Sequence, residues 1–224
     1  MTISIAALCP ESGQLGIAIS SSSIAVGARC PWLLAGVGAV SSQNITLPSL
    51  GPHILASLEA GESVEQALNR ALAEDRFSEY RQVTVIDASG EIATFSGEHT
   101  LGIGETLAGE NCVAAGNMLA ERGVIAAMVE AFEYATGELA SRLIAGLRAG
   151  IAAGGEAGPV HSAAVKVVED YAWPVVDLRV DWADDDPIAE LEQLWLAYEP
   201  QMEAYITRAL DPRDAPSYGV PGDE

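Results

Sequence analysis

Apolar and polar residues alternate near the start of the chain with the period of two that is expected of β-strands. The alternation covers TISIAA at residues 2–7 and LGIAIS at residues 15–20, and the CPESGQ segment between them supplies turn chemistry. The pattern therefore predicts an antiparallel hairpin whose first strand begins at Thr2.

The register of this hairpin decides what surrounds Thr2. Residues that lie opposite each other in a hairpin share a face, so we expect the isoleucines of one strand to face those of the other. The two registers that satisfy this rule place Thr2 opposite either Ser20 or Ser22. In both, Thr2 lies among small hydroxyl side chains on a face without bulky residues.

The rest of the chain alternates between groups of strands and pairs of helices. Strand patterns follow at residues 35–43, at 81–95 as a hairpin with ASG as its turn, at 111–115, and at 162–169 and 174–182 as a last antiparallel pair. Helix patterns cover residues 48–60, the segment after Ser63 with Gln66 completing a capping box, 118–135, 138–153 and 186–210.

This order predicts an α+β fold, in which two antiparallel sheets pack face to face between outer helices as a four-layer αββα sandwich. No strand–helix–strand unit recurs regularly, so a parallel nucleotide-binding sheet is disfavoured. Residues 1–210 are predicted to form a single domain, and the acidic residues 211–224 to form a mobile tail.

The strongly acidic charge of the chain disfavours nucleic acids and membranes as partners, which leaves a small-molecule substrate and a possible second copy of the chain. The chain has 32 acidic and 11 basic residues, a formal net charge of −21 that would repel phosphate backbones and anionic lipids. We therefore expect no nucleic-acid or membrane partner. The start of the chain lacks a cationic segment followed by an apolar run, which predicts a cytoplasmic protein.

Cysteine and histidine give no indication of a metal or another cofactor. The three cysteines, Cys9, Cys30 and Cys112, are odd in number and widely spaced, which fits neither a disulfide framework nor a closed zinc site. The three histidines are dispersed without the short pairings that are typical of metal ligands.

Thr2 allows two interpretations. It is an ordinary first residue of a strand, or it is a nucleophile that the removal of Met1 would expose. A free Thr2 carries a hydroxyl and an α-amine on adjacent atoms, and the amine pKa of about 7.7 to 8.0 allows it to accept the hydroxyl proton. Nucleophile and base then reside in one residue. This hypothesis requires an open space beside Thr2 between the sheets.

Acyl transfer also needs a hydrogen-bond donor for the charge that develops on the carbonyl oxygen. Asn117, directly after a predicted strand, is the favoured donor or substrate anchor, and an Asn that caps the next helix fits the pattern equally well. Arg29 is a candidate that would act only through its charge. The other candidates for substrate binding are polar residues near strand ends: Ser20, Ser22, Ser41, Gln43 and Asn44.

Several stretches resemble a known family in the order in which they occur. They are SIAALCPESGQLGIAIS, AVGARCPWLLAGVGAVSSQ, RQVTVIDASGEIATFSGE, AAGNML, AAGGEAGPVHSAAVKVV and VDLRVDW. The family is domain of unknown function 1028, within the N-terminal nucleophile hydrolase fold. The resemblance implies the αββα sandwich and a hydrolase ancestry, while the reaction of the family is not established.

The leading hypothesis is an amidohydrolase of the N-terminal nucleophile class, in which Thr2 attacks a small amide or a related C–N bond. The alternative is a catalytically silent protein that binds a small metabolite in the same cleft or serves as an assembly subunit. Apolar residues spaced by three or four along the predicted helix 186–210 permit a homodimer interface. They are Leu191, Leu194, Trp195, Tyr198, Met202 and Tyr205.

Overall fold

The computed structural model describes residues 2–222, which form ten strands and six α-helices. The strands are β1 (Thr2–Leu8), β2 (Leu15–Ser21), β3 (Pro31–Leu34), β4 (Gly38–Asn44), β5 (Arg81–Asp87), β6 (Ile92–Ser96), β7 (Ile103–Gly109), β8 (Cys112–Leu119), β9 (Ser162–Val168) and β10 (Val176–Val180). The helices are α1 (Leu50–Glu59), α2 (Val64–Glu74), α3 (Val124–Tyr134), α4 (Leu139–Ala152), α5 (Pro187–Tyr198) and α6 (Met202–Leu210).

The strands form two antiparallel sheets. The larger sheet has the order β10-β9-β2-β1-β8-β7, and the smaller one has the order β3-β4-β5-β6. Helices α3, α4 and α5 pack on the outer face of the larger sheet, and α1 and α2 cover the smaller sheet. Strands β1, β2 and β4 of the two sheets contact each other across the middle. The predicted α+β fold, a four-layer αββα sandwich, is confirmed.

The central strands are covered on both faces, which explains their small and apolar sequences. Every residue of β1 and β2 is buried. Gly16 shows how closely the helix layer approaches, because a Cβ atom at this position would lie 2.6 Å from Cδ1 of Leu143 in α4. A larger residue there would push α4 away from the sheet.

The predicted register of the first hairpin is wrong. Thr2 pairs with Ser21, rather than with Ser20 or Ser22, and Ile5 pairs with Ala18. Ile3 and Ile5 pack under α3 and α4, whereas Ile17 faces the smaller sheet. Since both faces of these strands are buried, both are apolar, and the alternation alone does not tell which isoleucines share a face.

The predicted boundary between residues 111–115 and helix 118–135 is also wrong. Strand β8 continues to Leu119, and α3 begins only at Val124. Met118 adopts a left-handed backbone conformation with φ of 50°, and Gly123 precedes the helix with φ of 96°. The chain therefore turns twice between the strand and the helix, which an apolar run does not reveal.

The last predicted helix and two edge strands also differ from expectation. The predicted helix 186–210 is two helices, because a turn of 3-10 helix at Glu199–Gln201 separates α5 from α6. Pro200 lies in this turn and lacks the N–H that a continuous helix would need. Strands β3 and β7 were not predicted.

The predicted helix starts at Ser63 and Asp186 are confirmed. The Ser63 hydroxyl accepts a hydrogen bond from the N–H of Gln66, whose side chain accepts one from the N–H of Ser63. The Asp186 carboxylate accepts hydrogen bonds from the N–H groups of Ile188 and Ala189. None of the helices within residues 2–222 is long and apolar enough to cross a membrane.

Candidate functional site

The space between the two sheets has an apolar end and a polar end. Alternation along β1 sends Thr2 and Ser4 into this space near its start, and Ala6 and Leu8 near its finish. The apolar end consists of Ala6, Leu8, Leu15, Ile17, Ala39, Ile86, Val113 and Val168. The polar end, which is the candidate site, consists of Thr2, Ser4, Ser21, Ser41, Gln43, Gln82 and Asn117, all of them buried.

Thr2 is the first residue of β1, a central strand, and it therefore lies at the edge of the polar end. Its register partners are Ser21 on β2 and Asn117 on β8. Its Oγ1 lies 3.2 Å from Oγ of Ser21. The chain thus brings its second residue to the polar end of the inter-sheet space, between a hydroxyl and an amide.

Two glutamine side chains connect the sheets below Thr2. The Ser4 hydroxyl donates to Oε1 of Gln43 over 2.6 Å, and Nε2 of Gln43 donates to Oε1 of Gln82 over 2.8 Å. Ser41 donates to Ser4 and to Gln43 over 3.3 Å each. Nε2 of Gln82 in turn donates to the carbonyl of Gly116 over 3.0 Å. These bonds join β4 and β5 of the smaller sheet to β1 and β8 of the larger one.

Asn117 lies within β8 and not at a junction between a strand and a helix, so the helix-cap interpretation is wrong. Its Nδ2 donates to Oε1 of Gln82 over 3.1 Å. Its Oδ1 is buried and accepts no hydrogen bond from any residue in the described range 2–222. A buried carbonyl oxygen without a donor is costly, and a bound ligand with an N–H or O–H group would satisfy it.

The other candidates from the sequence are dispersed. Ser41 and Gln43 belong to the network, but Ser20 points to the helix side of the sheet and donates to the carbonyl of Ser162 over 3.0 Å. Asn44 bonds to the backbone of Tyr80, His99 and Leu101.

Arg29 and Ser22 also lie outside the network. The guanidinium of Arg29 donates to the carbonyls of Ile24 and Ala25 in its own loop, over 2.6 and 3.1 Å. Ser22 follows the last residue of β2, where it is partly exposed. The structure therefore brings Thr2, Asn117, Ser41 and Gln43 together at the polar end, and the other four predicted residues lie outside it.

Sequence reasoning missed three members of the network, Ser4, Ser21 and Gln82. Ser4 has the same parity as Thr2 along β1, and Gln82 is a polar residue at the start of β5 on the same face as Ile86. A buried glutamine in the middle of a sandwich needs partners, and this was the signal that could have identified it.

Glu156 is a further buried group that the sequence did not indicate. It is 6% exposed and lies in a loop, joined to Leu119 by an isolated β-bridge. Burial raises the pKa of its carboxyl to about 8, and the backbone N–H and the hydroxyl of Ser22 act in the opposite direction.

Thr2 is 5% exposed, so residues 2–222 leave little of the open space that was expected beside it. Five surface cavities lie elsewhere on the molecule, and none of these five is lined by Thr2, Asn117 or Glu156. The side chains of the network fill the polar end by bonding to one another. No group of three His, Cys, Asp or Glu side chains within residues 2–222 could hold a metal ion.

Comparisons with known proteins assign the chain to a family. The model of a family of unknown function, DUF1028, matches residues 2–191. A crystal structure from Silicibacter pomeroyi, described as a DUF1028 protein, is similar with a TM-score of 0.83 and 34% identity, over 88% of this chain and 85% of that chain. No curated protein matches.

More distant similarity is found to two structures of Anbu, the ancestral beta-subunit. The protein from Yersinia bercovieri has a TM-score of 0.44 and 12% identity, over 91% of this chain and 97% of that chain. A mutant from Hyphomicrobium sp. strain MC1 has a TM-score of 0.43 and 14% identity over the same shares. Scores this low support no argument about the present chain.

Proposed function

Because the chain belongs to DUF1028, a family of unknown function, its activity has to be inferred from the site, and we propose that it is a hydrolase of the N-terminal nucleophile class. Removal of Met1 gives Thr2 a free α-amine next to its hydroxyl. The substrate is a small molecule with an amide or a related C–N bond.

One observation carries this proposal, namely the position of Thr2. The residue that Met1 removal would expose opens a central strand and directs its hydroxyl into the space between the sheets. It lies beside the Ser21 hydroxyl and opposite Asn117, whose Oδ1 has no hydrogen-bond donor within residues 2–222. Polar residues at a buried position weaken a fold, and proteins retain such conflicts mainly where function requires them.

The chemistry follows from the paired groups on Thr2. The α-amine takes the hydroxyl proton as Oγ1 bonds to the substrate carbonyl carbon, and the same proton then passes to the nitrogen of the breaking C–N bond. This leaves an ester on Thr2 and releases an amine. A water molecule, deprotonated by the α-amine, cleaves the ester, releases the acid and restores the hydroxyl. Asn117 is the candidate contact for the substrate.

A catalytically silent binding protein is the second candidate, and one observation favours it. Four side chains of the network, Ser4, Ser41, Gln43 and Gln82, already satisfy one another, and Thr2 is nearly buried. Under the hydrolase proposal, Met1 is removed and the α-amine of Thr2 becomes free. Under the alternative, Met1 is retained and the α-amine of Thr2 stays in a peptide bond.

Intact mass spectrometry tests the proposal in two steps. The mass of the purified chain shows whether Met1 is present, and incubation with a β-lactone, an acylating electrophile, shows whether Thr2 forms an ester. We expect an adduct with the wild-type chain and with Thr2→Ser, which keeps a hydroxyl, and no adduct with Thr2→Ala.

A chain carrying an uncleaved N-terminal extension provides the matched control, because its Thr2 has a hydroxyl but no free amine. We expect it to remain unlabelled. Retention of Met1 in the mature chain, or equal labelling of wild type and Thr2→Ala, would contradict the hydrolase proposal and favour the binding protein.

A further inference from the structure

The loop that contains Glu156 takes the place in the sheet that β1 would occupy if it extended beyond Thr2. Strand β8 pairs with β1 along one edge as far as Asn117, opposite Thr2, and with β7 along its other edge. Two residues further on, Leu119 pairs with Ile103 of β7 on that other edge and with Glu156 through the isolated bridge. The edge that β1 leaves at its amino end is therefore filled by Glu156.

Backbone hydrogen bonds fix this loop at the end of β1. The N–H of Ala120 donates to the carbonyl of Gly155 over 3.0 Å, and the N–H of Ala157 donates to the carbonyl of Met118 over 2.9 Å. Ser22, which continues β2 on the other side of β1, is close enough to act on the Glu156 carboxyl. Glu156 thus lies between the continuations of the two strands that flank β1, in line with its amino end.

The Glu156 carboxylate has no cationic partner within residues 2–222. Both of its oxygens are buried, the N–H and the hydroxyl of Ser22 lie near them without forming a well-aligned hydrogen bond, and no Arg, Lys or His of that range forms an ion pair with the carboxylate. The charged side chains in the turn that follows β8 are Glu121 and Arg122, both exposed, and Arg122 pairs with Glu105 at 3.4 Å. A buried carboxylate is costly unless a cation or a proton compensates it.

We propose that Glu156 is the positioning residue that binds the α-ammonium group of Thr2 in the chain that lacks Met1. This inference rests on the proposed function only in that it needs a free Thr2. A charge-assisted hydrogen bond to the carboxylate holds the amine at the end of β1, beside the hydroxyl that it must deprotonate.

The two groups also have similar affinities for a proton. Burial raises the pKa of the Glu156 carboxyl to about 8, and an ordinary α-amine has a pKa of about 7.7 to 8.0. The two groups therefore titrate as a pair, in which the ammonium–carboxylate form competes with the neutral amine–acid form. When Glu156 holds the proton, the α-amine is neutral and is able to accept the proton of the Thr2 hydroxyl.

The pKa of the Thr2 α-amine provides the test, and the chain is well suited to it because Lys166 is its only lysine. Cleavage of a removable leader directly before Thr2 yields the free amine, whether or not cells remove Met1. Reductive methylation with ¹³C-formaldehyde then labels two amines, Thr2 and Lys166, whose NMR signals are followed against pH. Lys166 pairs with Asp177 at 3.1 Å and serves as the internal reference.

In Glu156→Gln, we expect the pKa of the Thr2 α-amine to fall by about one to three units, since an opposite charge within hydrogen-bond distance favours the ammonium form by about that much. Glu156→Asp, which keeps the charge on a shorter side chain, should recover part of the shift. Glu169→Gln removes a carboxylate at the opposite end of β1, near Gln14, and should leave the Thr2 pKa unchanged.

An unchanged Thr2 pKa in Glu156→Gln would overturn the inference. If that variant does not fold, the wild type still decides, because the inference requires a higher Thr2 pKa in the folded chain than in urea. The β-lactone reaction tests the hydrolase separately. If the Thr2 pKa depends on Glu156 but no ester forms on Thr2, Thr2 is not a nucleophile. If the ester forms but the Thr2 pKa does not depend on Glu156, Glu156 does not bind the α-ammonium group.

Discussion

The two ends of the inter-sheet space are built from the same strands and packed by different interactions. At the apolar end, Ala6 and Leu8 of β1 meet Ala39 and Ile86 of the smaller sheet. At the polar end, four residues along the same strand, the contacts between the sheets are hydrogen bonds among hydroxyls and amides. The first end is held by apolar burial, and the second depends on each polar group finding a partner.

This difference shows where the fold gives up stability. Ile17 and Ile86 fill the apolar end, and apolar residues of similar size could fill the other end as well. Instead, the end near Thr2 holds Oδ1 of Asn117, which has no donor in residues 2–222, and the two buried carboxylate oxygens of Glu156, which form no well-aligned hydrogen bond there. The apolar end therefore stabilises the sandwich, and the polar end is the part of it that we associate with function.

Truncation at the apolar end should have the largest effect on stability. Ile17 is completely buried there, and we expect Ile17→Ala to lower the free energy of unfolding by about 2–5 kcal/mol through lost burial and the cavity that remains. Ser4→Ala, at the polar end of the neighbouring strand, should cost about 1 kcal/mol through the lost bond to Gln43. Urea unfolding measures both, and equal losses would remove the distinction between the two ends.

A pH dependence should reveal the cost of the polar end. The folded pKa of Glu156, about 8, exceeds the ordinary value of about 4.3 for an unfolded Glu. The folded state thus binds this proton more tightly than the unfolded state does. The contribution of Glu156 to stability is fully present below about pH 4 and is lost as the pH rises to about 8, by about 1.4 kcal/mol per pH unit.

Comparison with Glu156→Gln isolates this contribution, because the amide stays neutral at every pH. We expect the two chains, with Met1 in place, to be similar in stability at pH 5, and the wild type to be about 3 kcal/mol less stable relative to the variant by pH 7. Urea unfolding at both pH values measures the difference. Parallel curves for the two chains would show that Glu156 has an ordinary pKa.

The sequence was sufficient to predict what depends on local pattern. The capping residues Ser63 and Asp186, the four layers and the place of Thr2 at the start of a central strand follow from periodicity and helix-start signals. Resemblance to the family implied the same sandwich architecture.

What the sequence did not predict depends on contacts between distant segments. The pairing of Thr2 with Ser21 is set by which face of a doubly buried strand meets the other sheet. Glu156 reaches the end of β1 through a single bridge to Leu119, far away in the chain, and nothing in GGEAGP signals that contact. Asn117 was found from its sequence context, although that context was misread as the end of a strand.

Gln82 and Thr84, which lie on the same face of β5, allow a buried polar group with partners to be compared with one that has none within residues 2–222. Gln82 bonds to Gln43, Asn117 and the backbone of Gly116. We expect Gln82→Leu to cost about 1–3 kcal/mol, because the buried donors on Gln43 and Asn117 lose their acceptor.

Thr84 faces the same inter-sheet space as Gln82, but its hydroxyl lacks the hydrogen bonds that Gln82 makes. It is 1% exposed, and its hydroxyl oxygen has no hydrogen-bond partner within residues 2–222. Valine has the same shape without the hydroxyl, so Thr84→Val should leave the free energy of unfolding unchanged within about 0.5 kcal/mol or raise it slightly. If Thr84→Val instead destabilises the chain as much as Gln82→Leu does, the Thr84 hydroxyl has a hydrogen-bond partner in solution and belongs to the network of Gln43 and Gln82.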